Sequence, residues 1–138
     1  MKKLMVIMMV AMATACSKET AEPQANLGAN IEASYSKAVV LQEGVTVKVT
    51  KIEDSRCPKN VVCVWAGMVK VYFTVTENNV TKEASVELYA DKTKEPKATV
   101  ELNGTTYLIE VTEVSPYPAT PDPISLDDYR ISFTIKKV

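Results

Sequence analysis

The sequence predicts an all-β domain, an antiparallel β-sandwich or Greek-key barrel of about seven to eight strands. Three observations carry that expectation. Apolar residues alternate with period two almost throughout the chain from Val39 onward. No stretch sustains the period of a helix. Turn dipeptides, Asn78-Asn79 and Asn103-Gly104, fall between alternating runs. At 138 residues one domain is expected. The roughly one hundred residues of patterned chain can bury one modest core. No internal repeat is evident.

Taken in order, Val39 and Leu41 mark a first strand and Glu43-Gly44 a turn. Val45, Val47 and Val49 then share one face. Ile52 falls one step out of phase, which predicts a β-bulge near Thr50-Lys51. Val69, Val71, Phe73 and Val75 point inward, with Lys70, Tyr72, Thr74 and Thr76 outward. After Asn78-Asn79 the return strand carries Val80, Ala84, Val86 and Leu88. A charged loop from Asp91 to Lys97 precedes Val100 and Leu102. Asn103-Gly104 is the strongest hairpin signal, and Tyr107, Ile109 and Val111 lie beyond it. Tyr129, Ile131, Phe133 and Ile135 make the last inward row.

The N-terminus reads differently. Lys2 and Lys3, the apolar run Leu4 to Met12 and Ala13-Thr14-Ala15 form a secretory signal peptide over residues 1–15, too short to span a bilayer. Cys16 follows directly, and the site resembles the lipobox of bacterial lipoproteins, with Ala13 where Leu or Val is commoner. The resemblance implies that Cys16 becomes the mature N-terminus and carries fatty chains such as palmitate. A free N-terminal thiol is the alternative, and a liability in an oxidising compartment. Several acyl chains anchor durably where one does not. Ser17 after the Cys, by resemblance to enteric lipoproteins, points to the outer membrane, its periplasmic or surface face left open. Residues 16–36 read as a lipidated Cys and flexible tether, rich in Ala, Glu, Gln, Asn and Ser, although Ile31 and Tyr35 are compatible with an edge strand. Residues 37–138 form the β-sandwich domain. Without the two lysines of the leader, fourteen basic and seventeen acidic side chains leave a net charge of −3, which provides no footprint for nucleic acid.

Two of the three cysteines, Cys57 and Cys63, bracket a short loop, and export makes a disulfide the default. Zinc would need about four ligands, and the chain has no His. Five intervening residues do not fit a thioredoxin-type pair. Trp65, the single Trp, is expected to pack against the bridge; an exposed anchor for a partner is the alternative. Asp54 and Arg56 are expected to form a local surface or loop-bracing pair, with Arg56 as a second possible contact residue.

Pro116, Pro118, Pro121 and Pro123 exclude a central strand and predict a long, stiff, exposed loop in which Tyr117 is a further possible partner contact. Asp122, Asp127 and Asp128 are hard oxygen ligands close together, but no calcium-loop spacing is present and solvated carboxylates are the preferred reading. No metal and no cofactor is implied. Nor is an enzyme: without His the commonest general base is missing, and no Ser lies in a nucleophile context.

The stretch Asp54-Ser55-Arg56-Cys57-Pro58 … Cys63-Val64-Trp65-Ala66-Gly67 resembles a motif of small uncharacterised bacterial lipoproteins. Ser115-Pro116-Tyr117-Pro118 and Asp128-Tyr129-Arg130 resemble that family's later segments. The likeness runs from about Val45 to the C-terminus. It implies an exported, lipid-anchored β-domain and transfers no catalytic role. The expectation is therefore an envelope lipoprotein, held to the membrane by its lipid, that acts as a binding or structural module with a protein partner. Inhibition of a lysozyme or protease is the first alternative. A carboxylate- or Ser/Lys-based hydrolase is the second. Oligomeric state is not legible.

Overall fold

The computed structural model describes residues 25–138. The signal peptide, Cys16 and the first part of the expected tether lie outside the described residues. Eight strands form two four-stranded antiparallel sheets packed face to face, so the sandwich is realised and the barrel is not. They are β1 (Ile31–Ser34), β2 (Ala38–Val40), β3 (Val45–Asp54), β4 (Met68–Glu77), β5 (Val80–Tyr89), β6 (Lys97–Leu102), β7 (Thr105–Ser115) and β8 (Arg130–Lys137). One sheet has the order β1-β8-β7-β6 and the other β2-β3-β4-β5. No helix among the described residues is long and apolar enough to cross a membrane.

The alternation that predicted these strands is the alternation that fills the core. Val45, Val47 and Val49 from β3 and Val69, Val71, Phe73 and Val75 from β4 are fully enclosed. They face Tyr107, Ile109 and Val111 of β7 and Ile131, Phe133 and Ile135 of β8. Phe73 and Phe133 meet across the interface with ring centroids 5.2 Å apart, a tilted contact between the two sheets. The β3–β4 register slips between Val49 and Lys51, where the phase change of Ile52 predicted a bulge. A second slip, between Val111 and Glu113 of β7, was not anticipated. There Thr112 turns outward and its hydroxyl donates to the Ser132 carbonyl at 3.0 Å.

Both Asn turns adopt the backbone their residues favour. Asn78 and Asn79 have φ of 48° and 63°, and Asn103 and Gly104 have 50° and 78°. Two consecutive positive-φ residues are what a two-residue hairpin needs to match strand twist.

One boundary moves. The stretch expected as tether up to residue 36 is incorporated in the sandwich from Ala25 onward. Ala25 bridges to Leu41, and Ile31–Ser34 pairs along β8 as an edge strand. Ile31 and Ala33 close the core beside β8, with Glu32 turned out. Ala33 is too small to mark a strand by hydropathy, which is why the period was missed there.

The register places the connections at two opposite ends. Asp54 pairs with Val69, Met68 with Tyr89, and Ser115 with Arg130. The β3–β4, β5–β6 and β7–β8 connections therefore share one end. Ala25, the β4–β5 and β6–β7 hairpins and Val138 lie at the other.

Candidate functional site

The β3–β4 connection holds the cysteine corner. Ladder bonding continues past the strand ends, with the Ser55 amide donating to Met68 O and the Cys57 amide to Ala66 O, both at 2.8 Å. Cys57 and Cys63 are disulfide-bonded, their Cα atoms 6.0 Å apart. Gly67 sits at φ 79°, and a Cβ there would lie 2.0 Å from Ser55 O and 2.8 Å from the Arg56 Cα. Only glycine permits that approach.

Arg56 is not a surface contact residue. It is only 6% exposed and its guanidinium is committed internally. Nε and Nη2 donate to the two Asp54 carboxylate oxygens at 2.9 and 2.7 Å, the bidentate geometry that Arg forms best. Nη1 reaches Val114 O at 2.7 Å and Nη2 reaches Pro116 O at 3.0 Å. The pair thus braces the Pro-rich β7–β8 connection rather than decorating the surface. Tyr129 donates its hydroxyl to Asp54 Oδ2 at 2.8 Å. Burial alone would raise the Asp54 carboxyl, but hydrogen bonds from Arg56 and Tyr129, with the guanidinium charge, hold it below its ordinary value. Burial, reinforced by the Asp54 carboxylate, pushes the Tyr129 phenol well up.

Tyr117 spans the two loops. Its hydroxyl donates to Cys57 O at 2.7 Å, and its ring lies over Arg56, with Cζ 5.0 Å from the centroid. The Lys59 ammonium stands 5.8 Å from the same centroid, and the Lys59 amide donates to Pro118 O at 3.1 Å. Between the loops lies a cleft of about 290 Å³, its walls including Pro58, Pro121, Ile124 and Tyr129. A second, more apolar cleft of about 240 Å³ opens on the other flank of Arg56, beside Leu88, Tyr89 and Tyr117. Arg56 separates them.

Trp65 is not enclosed by the fold. It is 57% exposed, and Val62 and Val64 beside it are fully open to solvent. Among the described residues eight large apolar side chains are exposed, and six of them lie on these two loops: Val61, Val62, Val64, Trp65, Tyr117 and Leu126. Val80 and Val138 are the others, at the far end. The signal for the valines was present. An apolar run around Cys63 inside a connection too short to pair as a strand has no sheet face to bury against.

Asp122, Asp127 and Asp128 are exposed, and among the described residues no set of three or more Cys, Asp or Glu is gathered as a metal site. The loop cleft collects Asp54 and Asp122 but no Ser or Lys, and Asp54 is held ionised by Arg56. A carboxylate locked that way is a poor proton donor.

The fold and site define a small β-sandwich carrying a braced, apolar, disulfide-closed loop at one end. Comparison with family models, with curated proteins and with solved structures yields no match to this chain.

Proposed function

We propose that the protein is a lipid-anchored component of a bacterial envelope whose β-sandwich is a protein-binding module, with the Cys57–Cys63 loop as the contact element. The observation that carries this reading is the concentration of exposed apolar side chains on the two loops of one end. An isolated exposed apolar residue is ordinary; a contiguous group marks a contact surface. Those loops are also held rigid by the disulfide, by Arg56 and by Tyr117, so little conformational freedom is lost on binding. Anchoring through Cys16 rests on the lipobox resemblance and the leader.

Cross-linking in intact cells tests the module. The wild-type chain is expected to capture a protein that Trp65→Ser, folded and equally abundant, does not. Equal capture by both would refute the assignment.

A second reading has its own support. A disulfide-closed loop with exposed apolar side chains suits a plug for a hydrolase site, so an envelope inhibitor fits the same geometry. Purified domain added to a panel of lysozymes and proteases should then slow one of them, and Trp65→Ser should relieve the effect.

A further inference from the structure

The apolar cleft beside Leu88, Tyr89 and Tyr117 opens where β6 has not yet begun. β6 starts at Lys97, which pairs with Glu110, and the Val111 amide makes one further bond on that side, to Pro96 O at 3.0 Å. β7 runs on to Ser115 with β8 along its other edge. Among the described residues no strand flanks Thr112 to Ser115 on the β6 side, and all four of these residues line the cleft. Leu88 and Tyr89, at the end of β5 in the opposite sheet, form the facing wall. An open strand edge beside a pocket is where an extended peptide adds. The volume agrees: about 240 Å³ is below the roughly 300–1,000 Å³ that whole small-molecule ligands fill, and suits one large side chain.

The polar groups of the cleft point to an anionic oxygen. A guanidinium carries five N–H donors. In Arg56 four are placed: Nε on one Asp54 oxygen, Nη2 on the other and on Pro116 O, and Nη1 on Val114 O. The second Nη1 proton has no acceptor among the described residues. Nη1 is also the nitrogen nearest this cleft, because Val114 is one of its walls. A donor on a side chain only 6% exposed gains from an acceptor that enters beside it. Of the three lysines on the β5–β6 connection and at the start of β6, Lys97 pairs with Glu95. Lys94 donates to the Tyr89 hydroxyl at 3.2 Å and covers that ring. Lys92 lines the cleft, is exposed, and has no ion pair among the described residues.

We propose that this cleft captures the C-terminal residue of a protein partner. Its large apolar side chain lies among Leu88, Tyr89 and Tyr117, and its carboxylate accepts the spare Arg56 Nη1 proton with Lys92 alongside. The residues before it run extended along Thr112 to Ser115. Glu113 stands on that same wall, so an acidic residue just before the last is disfavoured. The inference rests on the protein-binding reading above and adds what the partner offers. It uses a surface that Trp65 does not line. A free small carboxylate and a side chain from the middle of a partner chain are the competing occupants.

Calorimetric titration of the purified full chain tests it, with acetylated hexapeptides identical except for the last residue. Peptides ending in Phe, Leu or Trp should bind, and those ending in Gly or Lys should bind about tenfold more weakly or worse. Replacing the free carboxylate by an amide should cost about tenfold. Tyr89→Ala should weaken the Phe peptide about tenfold and Lys92→Glu about fivefold, whereas Trp65→Ser should leave its affinity unchanged. Equal binding of acid and amide would overturn carboxylate capture in favour of a mid-chain side chain. Displacement by 3-phenylpropionate at equal concentration would make the occupant a small acid instead. Absence of peptide binding, affinity indifferent to both Tyr89→Ala and Lys92→Glu, or loss in Trp65→Ser would overturn the site. Should no peptide bind while Trp65→Ser still abolishes capture in intact cells, this proposal falls and the loop reading stands. Should the peptides bind as expected while capture is indifferent to Trp65, the loop reading falls alone.

Discussion

Asp54 and Arg56, two residues apart in sequence, form a bidentate ion pair whose guanidinium also holds the carbonyls of Val114 and Pro116, nearly sixty residues downstream. A local pair thereby fixes a long-range contact. It sets the angle between the β3–β4 and β7–β8 connections and so the form of the whole loop end.

Removing the guanidinium leaves a largely enclosed carboxylate and two unpaired carbonyls. Arg56→Ala should cost about 3–5 kcal/mol by chemical denaturation, the usual penalty for stripping one partner from a buried pair. Arg56→Lys should recover only part of the loss, because an ammonium cannot reproduce the fork.

The pair also sets a pH dependence. Asp54 titrates lower in the folded chain than in the unfolded one, so its contribution is present above the unfolded carboxylate range and is lost as pH falls through the folded value. Tyr129 is raised, so its contribution is present below the ordinary phenol range and is lost as pH rises above it. Asp54→Asn should flatten the acid limb of a stability–pH profile, and Tyr129→Phe the alkaline limb.

Gly67→Ala should be among the most damaging single-atom additions in the chain. Its Cβ would meet the Ser55 backbone, which cannot rotate aside, at a φ unfavourable to side chains. A loss of about 3 kcal/mol or more in unfolding free energy is expected, against small effects at Gly104, where nothing lies within 4 Å and φ alone is unfavourable.

The disulfide closes a small ring, so Cys57→Ser with Cys63→Ser should cost about 2 kcal/mol in denaturant midpoint analysis, and alkylation of the folded wild-type should find neither sulfur free.

Trp65→Ser should behave in the opposite way. With the indole more exposed than buried, stability should change by about 0.5 kcal/mol or less while partner capture is lost. A large loss of stability would show that the ring serves packing after all.

The strands, both Asn turns and the β3 bulge were legible in the chain because each depends on neighbours a few residues apart: side chains alternate at every step, and a phase change displaces that alternation at one point. The Cys57–Cys63 bond was legible from export and elimination. The fates of Arg56 and Trp65 were not. Both sit in the same connection, and which is enclosed depends on the Pro-rich loop arriving over Arg56 from β7 and leaving the Trp65 side more open. The joining of Ile31–Ser34 to β8 was hidden for the same reason, since an edge strand is defined by its partner across a hundred residues. Local pattern determined which residues face a core. Only the tertiary fold decided which loops cover one another, because that depends on where distant backbone carbonyls come to lie.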